Sequence, residues 1–343
     1  MAKRKNLKEM SATEIIDSCL DEDPLIPGPI PRWIPSGSCQ LDWLMGDGWP
    51  CGRMVEVFGS SSSGKTMLAL LACKNAIKMG GSAVYLDTEA GYDPAWAAKL
   101  GVPSEGIIVR TPYDLEQVHD VIENVALNYD KFNTPLVIVW DSMAACASSA
   151  VVGKKSARDT SPVASDSRLN SEFFRKKIMK VIRDKEICFI IINQVRAKIG
   201  GMMFDNETTT GGRATEFYSS IRLEVKRKRI MKPKKEGAKP PGAFVVVKNK
   251  KNKISHPYLK ADFPIYFQTG IDPVFELLYY CEMAKIIQMT ANGRVVWKGT
   301  TYTRAAIWHY FQEHPEDFRE MKEMARQVFN SDTPHGEVSF EED

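Results

Sequence analysis

MVEVFGSSSSGKTMLALLA, residues 54–72, is the stretch whose reading decides the fold. The apolar run at 54–58 reads as a buried strand, and Met67, Leu68, Leu70, Leu71 and Ala72 follow with the spacing of a helix. Between them, GSSSSGKT at 59–66 matches G-x-x-x-x-G-K-[ST] in the strand, loop, helix context that this motif requires. Gly59 and Gly64 let the backbone wrap, so that the N–H groups of Ser60, Ser61, Ser62 and Ser63 and the start of the helix, Met67 included, face phosphate oxygens. Lys65 is placed to neutralise the β- and γ-phosphates, and the Thr66 hydroxyl to ligate Mg²⁺. A Ser/Gly turn with no ligand is disfavoured by that context.

Working outward, LVIVWDS at 136–142 is a second buried strand, ending in Asp141, which is placed to hold the magnesium ion. AVYLDTEAGYDP at 83–94 supplies Glu89 after a strand expected to lie beside the phosphate loop, where its carboxylate could orient and deprotonate an attacking water. A surface glutamate in a turn is the competing reading of the same spacing. The runs SAVYLD, GIIVR, PLVIVWD, CFIIIN, IRLEV and FVVV alternate with helical patterns. They predict an α/β fold with a twisted, mostly parallel sheet covered on both faces.

With 343 residues, 43% of them hydrophobic, the chain can bury a large core, which excludes disorder of the whole. Its net charge of +3 hides an uneven distribution. Residues 226–253 hold twelve Lys or Arg against the single acid Glu236, whereas the chain ends in GEVSFEED. That asymmetry points to a polyanionic partner. Seven scattered cysteines without C-x-x-C spacing fit reduced thiols, and the five histidines form no metal-spaced cluster. With no apolar run of spanning length and no signal-peptide core in MAKRKNLKEM, the expectation is a soluble, cytoplasmic protein with no membrane partner.

The blocks IPSGSCQLDWLMGDGWPCGRMVEVFGSSSSGKT, YLDTEAGYDPAWAAKLGV, IINQVRAKIGGMMFDNETTTGGRATEFY and KNKISHPY, in this order and separation, resemble the RecA family from about residue 34 to 329. The resemblance implies a RecA-type P-loop ATPase core with ATP and Mg²⁺ as cofactors. It implies a DNA-dependent ATPase that forms helical filaments on single-stranded DNA and carries out pairing and strand exchange with homologous double-stranded DNA, in recombination and repair. It also implies that Glu89 is the catalytic carboxylate, that Asp93 and Trp96 lie at the adenine, and that Gln194 senses the terminal phosphate and passes nucleotide state to the loop after it. Two lysines of a KNK motif complete a neighbour's ATP site. Here they are similar to Lys251 and Lys253, although VVVKNKKNKI holds two overlapping copies and leaves Lys248 and Lys250 open. Glu216 stands where bacterial members usually carry a basic residue, and Phe267 where a tyrosine is usual. Single-strand-binding and loader proteins are implied partners.

The loop at 195–212 is rich in Gly, Thr and Met, and joins an apolar strand to a helix, so it reads as a functional loop. Arg196, Lys198 and Arg213 supply cationic attraction, Gly211 and Gly212 allow close approach to phosphates, and Ile199 could wedge between bases. An ATPase lid is the alternative reading; the resemblance assigns the loop to single-stranded DNA. A second DNA loop is expected at 148–168, with Lys154, Lys155, Arg158 and Arg168, followed by a helix carrying Arg175 and Lys176. The basic run KRKRIMKPKKEGAKPPG reads as an extended hairpin or loop, equally compatible with a solvated surface and a DNA-facing one.

The expected organisation is an N-terminal arm and linker at 1–35 with a short helix at 12–20, an ATPase and DNA-binding core at 36–268, a small α+β accessory domain at 269–330 with Arg294, Lys298 and Arg304 near a hairpin, and an acidic tail at 331–343. RWIPS in the arm could add a strand to a neighbour. A hexameric motor would call for a zinc-type cysteine quartet, a protease-like tail or a KNRFG motif, and the sequence has none of them. A scaffold with impaired hydrolysis is the competing reading from another class.

Overall fold

A computed structural model describes residues 29–149, 162–183, 185–197, 207–209, 213–233, 235–290 and 292–331, with the side chains at 162–165, 196–197, 207–209 and 213 excepted. The expected helix at 12–20, Lys154, Lys155, Arg158, Lys198, Ile199, Gly211, Gly212 and the acidic end from 336 lie outside the described residues, as do the side chains of Arg196 and Arg213.

Trp33–Ile34 (β1) pairs antiparallel with Trp49–Pro50 (β2) across the helix α1 (Cys39–Met45). The RWIPS segment thus already pairs within its own chain along one edge. Then come β3 (Arg53–Gly59), α2 (Lys65–Lys78), β4 (Ser82–Asp87), α3 (Pro94–Lys99), β5 (Ile107–Arg110), α4 (Leu115–Leu127) and β6 (Leu136–Asp141). Helix α5 (Pro162–Glu172) runs through a π-helical turn (Phe173–Ile178) into α6 (Met179–Ile182). After it lie β7 (Ile187–Ala197), β8 (Glu207–Thr209), α7 (Arg213–Tyr218), β9 (Ile221–Ile230), β10 (Gly242–Asn252) and β11 (Lys260–Tyr266).

The strand order β11-β10-β9-β3-β7-β6-β4-β5 makes one sheet. From β9 through β5 every pairing is parallel, while β10 and β11 extend one edge antiparallel. The apolar runs explain this arrangement. Along β3, β4, β6 and β7, alternate residues enter two separate cores: Val55, Val57, Tyr85, Val139 and Ile190 in one, Met54, Leu86, Ile138, Trp140 and Phe189 in the other. Strands buried on both faces need helices on both sides, and long βα crossovers supply them.

The expected neighbourhood of β4 is corrected by this order. β4 does not lie beside β3, because β7 and β6 stand between them. The 14-residue crossover helix α2 carries the chain past two strand positions, which later segments fill. Strand pairing across such distances leaves no local trace, so the sequence pattern could not supply it.

Beyond the sheet, α8 (Pro273–Met283), a three-stranded sheet of β12 (Gln288–Met289), β13 (Val295–Trp297) and β14 (Thr300–Tyr302), and the helices α9 (Arg304–Glu313) and α10 (Pro315–Asn330) complete the chain. The hairpin expected near Arg294 and Lys298 thus has a third strand. Glu276 of α8 is wholly buried and caps the start of α1. It accepts from Ser38 Oγ (3.0 Å), Cys39 N (3.1 Å), Gln40 N (3.2 Å) and Gln40 Nε2 (2.8 Å). An anion at a helix N-terminus satisfies donors that have no partner within the helix. Trp43 of α1 then packs on Tyr280 and Phe329, with ring centroids 5.9 and 5.5 Å away. No helix among the described residues is long and apolar enough to cross a membrane.

Asp42 in α1 is buried, accepts from Ser36 N at 2.7 Å, and has its carboxyl pushed up from the ordinary 3.8 to about 7, chiefly by desolvation. In the unfolded chain this group ionises near its ordinary value, whereas the folded chain holds the proton until about 7. Its contribution to stability is therefore complete at low pH and falls as pH rises across that interval. Asp42→Asn is expected to flatten the decline, which urea midpoints measured from pH 4 to 8 will read; superimposable profiles for the two chains would refute it.

Candidate nucleotide site and DNA interface

The phosphate loop is folded around its own lysine. Lys65 is nearly buried, with Nζ donating to the carbonyls of Ser60 (2.7 Å) and Gly59 (3.1 Å). Desolvation lowers its pKa, opposed by the carboxylates of Asp141 and Glu89. The loop leaves no room for a side chain at Gly59, where a Cβ would stand 2.2 Å from the Val225 carbonyl of β9. The Ser63 hydroxyl is buried without a partner among the described residues.

Thr66 and Asp141 meet: the threonine hydroxyl donates to Asp141 Oδ2 at 2.8 Å, and Tyr85 donates to the same oxygen at 2.5 Å. Burial raises the Asp141 carboxyl, against the lowering effect of these two hydrogen bonds. A hydroxyl and a carboxylate oxygen side by side at the start of α2 are hard donors suited to Mg²⁺.

Glu89 reaches this point although β4 is distant from β3, because β4 pairs with β6 in a register that sets Asp87 opposite Asp141. Asp87 holds the turn after β4, accepting from the backbone N–H groups of Tyr92 (2.8 Å), Glu89 (3.2 Å) and Gly91 (3.2 Å). Glu89 Oε1 accepts from Ser142 Oγ at 2.5 Å and from Gln194 Nε2 at 2.8 Å. Carboxylate and amide thus touch, and Gln194 stands in β7 just before the loop expected to meet DNA. The ends of that loop form an antiparallel ribbon of β7 with β8, pairing Val195 with Thr209 and Ala197 with Glu207.

Toward the antiparallel edge, a cavity of about 230 Å³ has Ser62 to Met67 on one side and Ala243, Val245 and Ile265 on the other, with Trp96, Phe267 and Arg227 completing its wall. Trp96 Nε1 donates to the Phe267 carbonyl at 2.7 Å. Asp93, the residue before α3, caps that helix, accepting from Ala95 N at 2.8 Å and Trp96 N at 3.3 Å.

A second, more polar cavity of about 460 Å³ lies between α5 with its π-helical turn and α7. Arg168, Ser171, Arg175 and Lys176 line it from one side, and Ala214, Phe217 and Tyr218 from the other. Arg168 and Arg175 are therefore brought beside the helix that follows the loop of Gln194. Lys176 is paired with Glu172 at 2.5 Å.

The two KNK registers sit in different surroundings. Lys250 pairs with Glu224 at 3.3 Å, and Lys248 is exposed. Lys251 and Lys253 converge on α7: Lys251 Nζ donates to the carbonyls of Glu216 (2.5 Å) and Phe217 (2.9 Å), and Lys253 Nζ lies 5.7 Å from the Phe217 ring centroid. Desolvation, followed by the charges of Lys253 and Arg222, lowers Lys251 to about 8. In the C-terminal part, Lys298 is occupied by Asp317 (3.0 Å) and Glu320 (2.7 Å), and Arg304 lies over the Phe275 ring.

Sequence reasoning missed Ser142, Tyr85 and a buried network behind Gln194. Glu56 of β3, fully buried, accepts from Asn193 Nδ2 (3.0 Å) and Arg222 Nε (2.5 Å), and Arg222 also pairs with Glu216 at 2.9 Å. A charged residue inside the apolar run MVEVF was the one available signal, since a buried charge needs a partner. Among the described residues no group of His, Cys, Asp and Glu is arranged to hold a metal by itself.

A family model for the RecA N-terminal domain matches residues 31–272. The chain is similar to Protein RecA of Thermus aquaticus, at 37% identity over 293 residues that cover 84% of this chain and 83% of the relative. It is similar also to Protein RecA of Aquifex pyrophilus, at 36% over 320 residues (90% and 86%), and of Lactobacillus johnsonii, at 35% over 310 residues (87% and 81%).

Proposed function

The chain belongs to the RecA family, and from that premise we propose which of its residues carry out ATP hydrolysis and DNA pairing. It is a DNA-dependent ATPase of strand exchange in recombination and repair, binding single- and double-stranded DNA and forming filaments. The observation that carries the residue assignment is the contact between Glu89 and Gln194 at the carboxyl ends of β4 and β7, next to Thr66 and Asp141. Two hydrogen-bonded groups, Glu89 with Ser142 and Gln194, and Thr66 with Asp141 and Tyr85, adjoin where Asp141 and Ser142 follow each other in the chain.

In this reading the backbone N–H groups of 59–67 and Lys65 hold the triphosphate, and Trp96, Phe267 and Asp93 accept the adenine. Thr66 and Asp141 would hold Mg²⁺, which would supply charge screening for the phosphate chain. Glu89 accepts the proton of the attacking water, and Ser142 orients it. Gln194 leaves Glu89 for the terminal phosphate when ATP is present, and so moves the β7–β8 ribbon. Arg168, Arg175, Arg196, Lys198, Ile199, Gly211, Gly212 and Arg213 form the primary DNA surface, contacting mainly the backbone, so that base pairing reads the sequence. Lys251 and Lys253 complete the ATP site of the next subunit. Residues 1–35 act as arm, 36–268 as core, 269–330 as accessory duplex-binding unit and 331–343 as acidic tail, with single-strand-binding and loader proteins as further partners.

The test is ATP hydrolysis with and without single-stranded DNA, paired with electron microscopy of the same mixture in a slowly hydrolysed ATP analogue. Stimulated hydrolysis with helical filaments is expected. Closed rings, or turnover indifferent to DNA, would overturn the reading in favour of a hexameric motor.

A further inference from the structure

Strand β9 ends in four successive cations, Lys226, Arg227, Lys228 and Arg229, and three have partners. Lys226 pairs with Glu224 at 2.8 Å, Lys228 with Asp262 at 2.7 Å, and the Arg229 guanidinium lies 3.9 Å from the centroid of the Phe244 ring. Arg227 has no hydrogen bond, ion pair or ring contact among the described residues. Strand alternation turns Arg227 away from Lys226 and Lys228, and the register irregularity at Phe244/Val245 sets Arg229 against Phe244 instead. Arg227 lies directly across from Val245 of β10, on the face that carries Val225 and Val245 into the core beneath α2. At this level β3 has already ended and the phosphate loop takes its place beside β9, as the tight approach of Gly59 to the Val225 carbonyl shows. Arg227, two residues further along β9, therefore borders the same cavity as Ser62, Ser63 and Gly64, separated by β10 from Phe267 on the far side.

We propose that Arg227 is a nucleotide-binding residue of its own subunit, its guanidinium engaging the phosphate chain of ATP from the β9 side of the loop. An exposed guanidinium with no acid partner at the wall of a phosphate-binding cavity is a ready partner for an anion, and its planar fork suits phosphate oxygens better than an ammonium does. The same argument separates Arg227 from the rest of the basic run, whose neighbouring cations are already held by Glu224 and Asp262. This assignment rests on the reading of 59–66 as the ATP site and adds a contact that the loop motif does not contain.

The experiment is binding of a fluorescent N-methylanthraniloyl ATP to the full chain, to Arg227→Gln and to Arg227→Lys, with ATP and ADP as competitors. The same proteins are then tested for binding of labelled single-stranded and duplex oligonucleotides at saturating slowly hydrolysed analogue. Arg227→Gln is expected to weaken ATP binding about 10-fold or more and to raise KM with kcat nearly unchanged; Arg227→Lys recovers part of the loss. Unchanged nucleotide affinity in Arg227→Gln, alone or with weakened DNA binding, would overturn the proposal, the second result giving the residue to DNA instead. If the unmodified chain itself fails to bind the probe, it is the phosphate-loop reading that falls.

Discussion

Glu89→Gln lowers DNA-stimulated turnover by about 10²- to 10⁴-fold, the range that a positioned general base contributes, while ATP affinity stays close to that of the unmodified chain. The expectation comes from what the side chain touches. Glu89 accepts hydrogen bonds from Ser142 and Gln194 through one oxygen, and the amide of the variant can still accept through its own, so the turn held by Asp87 keeps its shape. What disappears is the basic carboxylate proposed to take a proton from water. Since nucleotide binding is assigned to the loop, Lys65 and the aromatic wall, the defect falls on kcat rather than KM. Filaments on single-stranded DNA are then expected to persist longer in ATP if hydrolysis is what releases them. Single-turnover hydrolysis and electron microscopy read the two effects separately. A variant with ordinary turnover would leave Glu89 as a turn residue whose carboxylate only anchors Ser142.

The local parts of this site were legible in the sequence and the non-local ones were not. GSSSSGKT identifies itself because its requirements, tight turns, N–H donors, a lysine and a hydroxyl, fall within eight consecutive residues. Asp141 could be read from the end of a buried strand. Glu89 was singled out on the expectation that its strand lies beside the phosphate loop; the strand lies beside β6 instead, and it is the β4–β6 register that brings Glu89 to Gln194. Ser142 and Tyr85 matter through contacts that only the assembled sheet creates. The fold was readable because period-2 burial on both faces is written along each strand, whereas strand order depends on crossovers that leave no local pattern. Arg227 shows the same limit from the other side, since composition treats four adjacent cations alike and only their partners tell them apart.

The buried network behind Gln194 carries the second large expected effect. Glu56→Ala should destabilise the fold by about 2–3 kcal/mol, because it leaves the Arg222 guanidinium, with its side chain only 11% exposed, to the exposed Glu216 as counterion and removes the acceptor of Asn193 Nδ2. Urea unfolding reads that loss. Glu56→Gln separates stability from coupling, since the amide can still accept from Asn193 while the charge that holds Arg222 is gone. Asn193 Oδ1 in turn accepts from the backbone N–H of Gln194 at 2.9 Å, and Arg222 grips Glu216, whose carbonyl holds Lys251. One side of the network therefore touches the residue assigned to sense this subunit's ATP. The other touches the lysine assigned to the neighbour's ATP. Loosening the middle should reduce the stimulation of hydrolysis by single-stranded DNA about 5-fold or more, the usual scale of a coupling free energy between sites, with basal hydrolysis less affected. A merely structural glutamate would lower stability in both variants and leave the ratio of stimulated to basal rates unchanged. That ratio, measured well below the unfolding midpoint of Glu56→Gln, decides whether the charge serves communication along the filament or only the packing of β3 against β9.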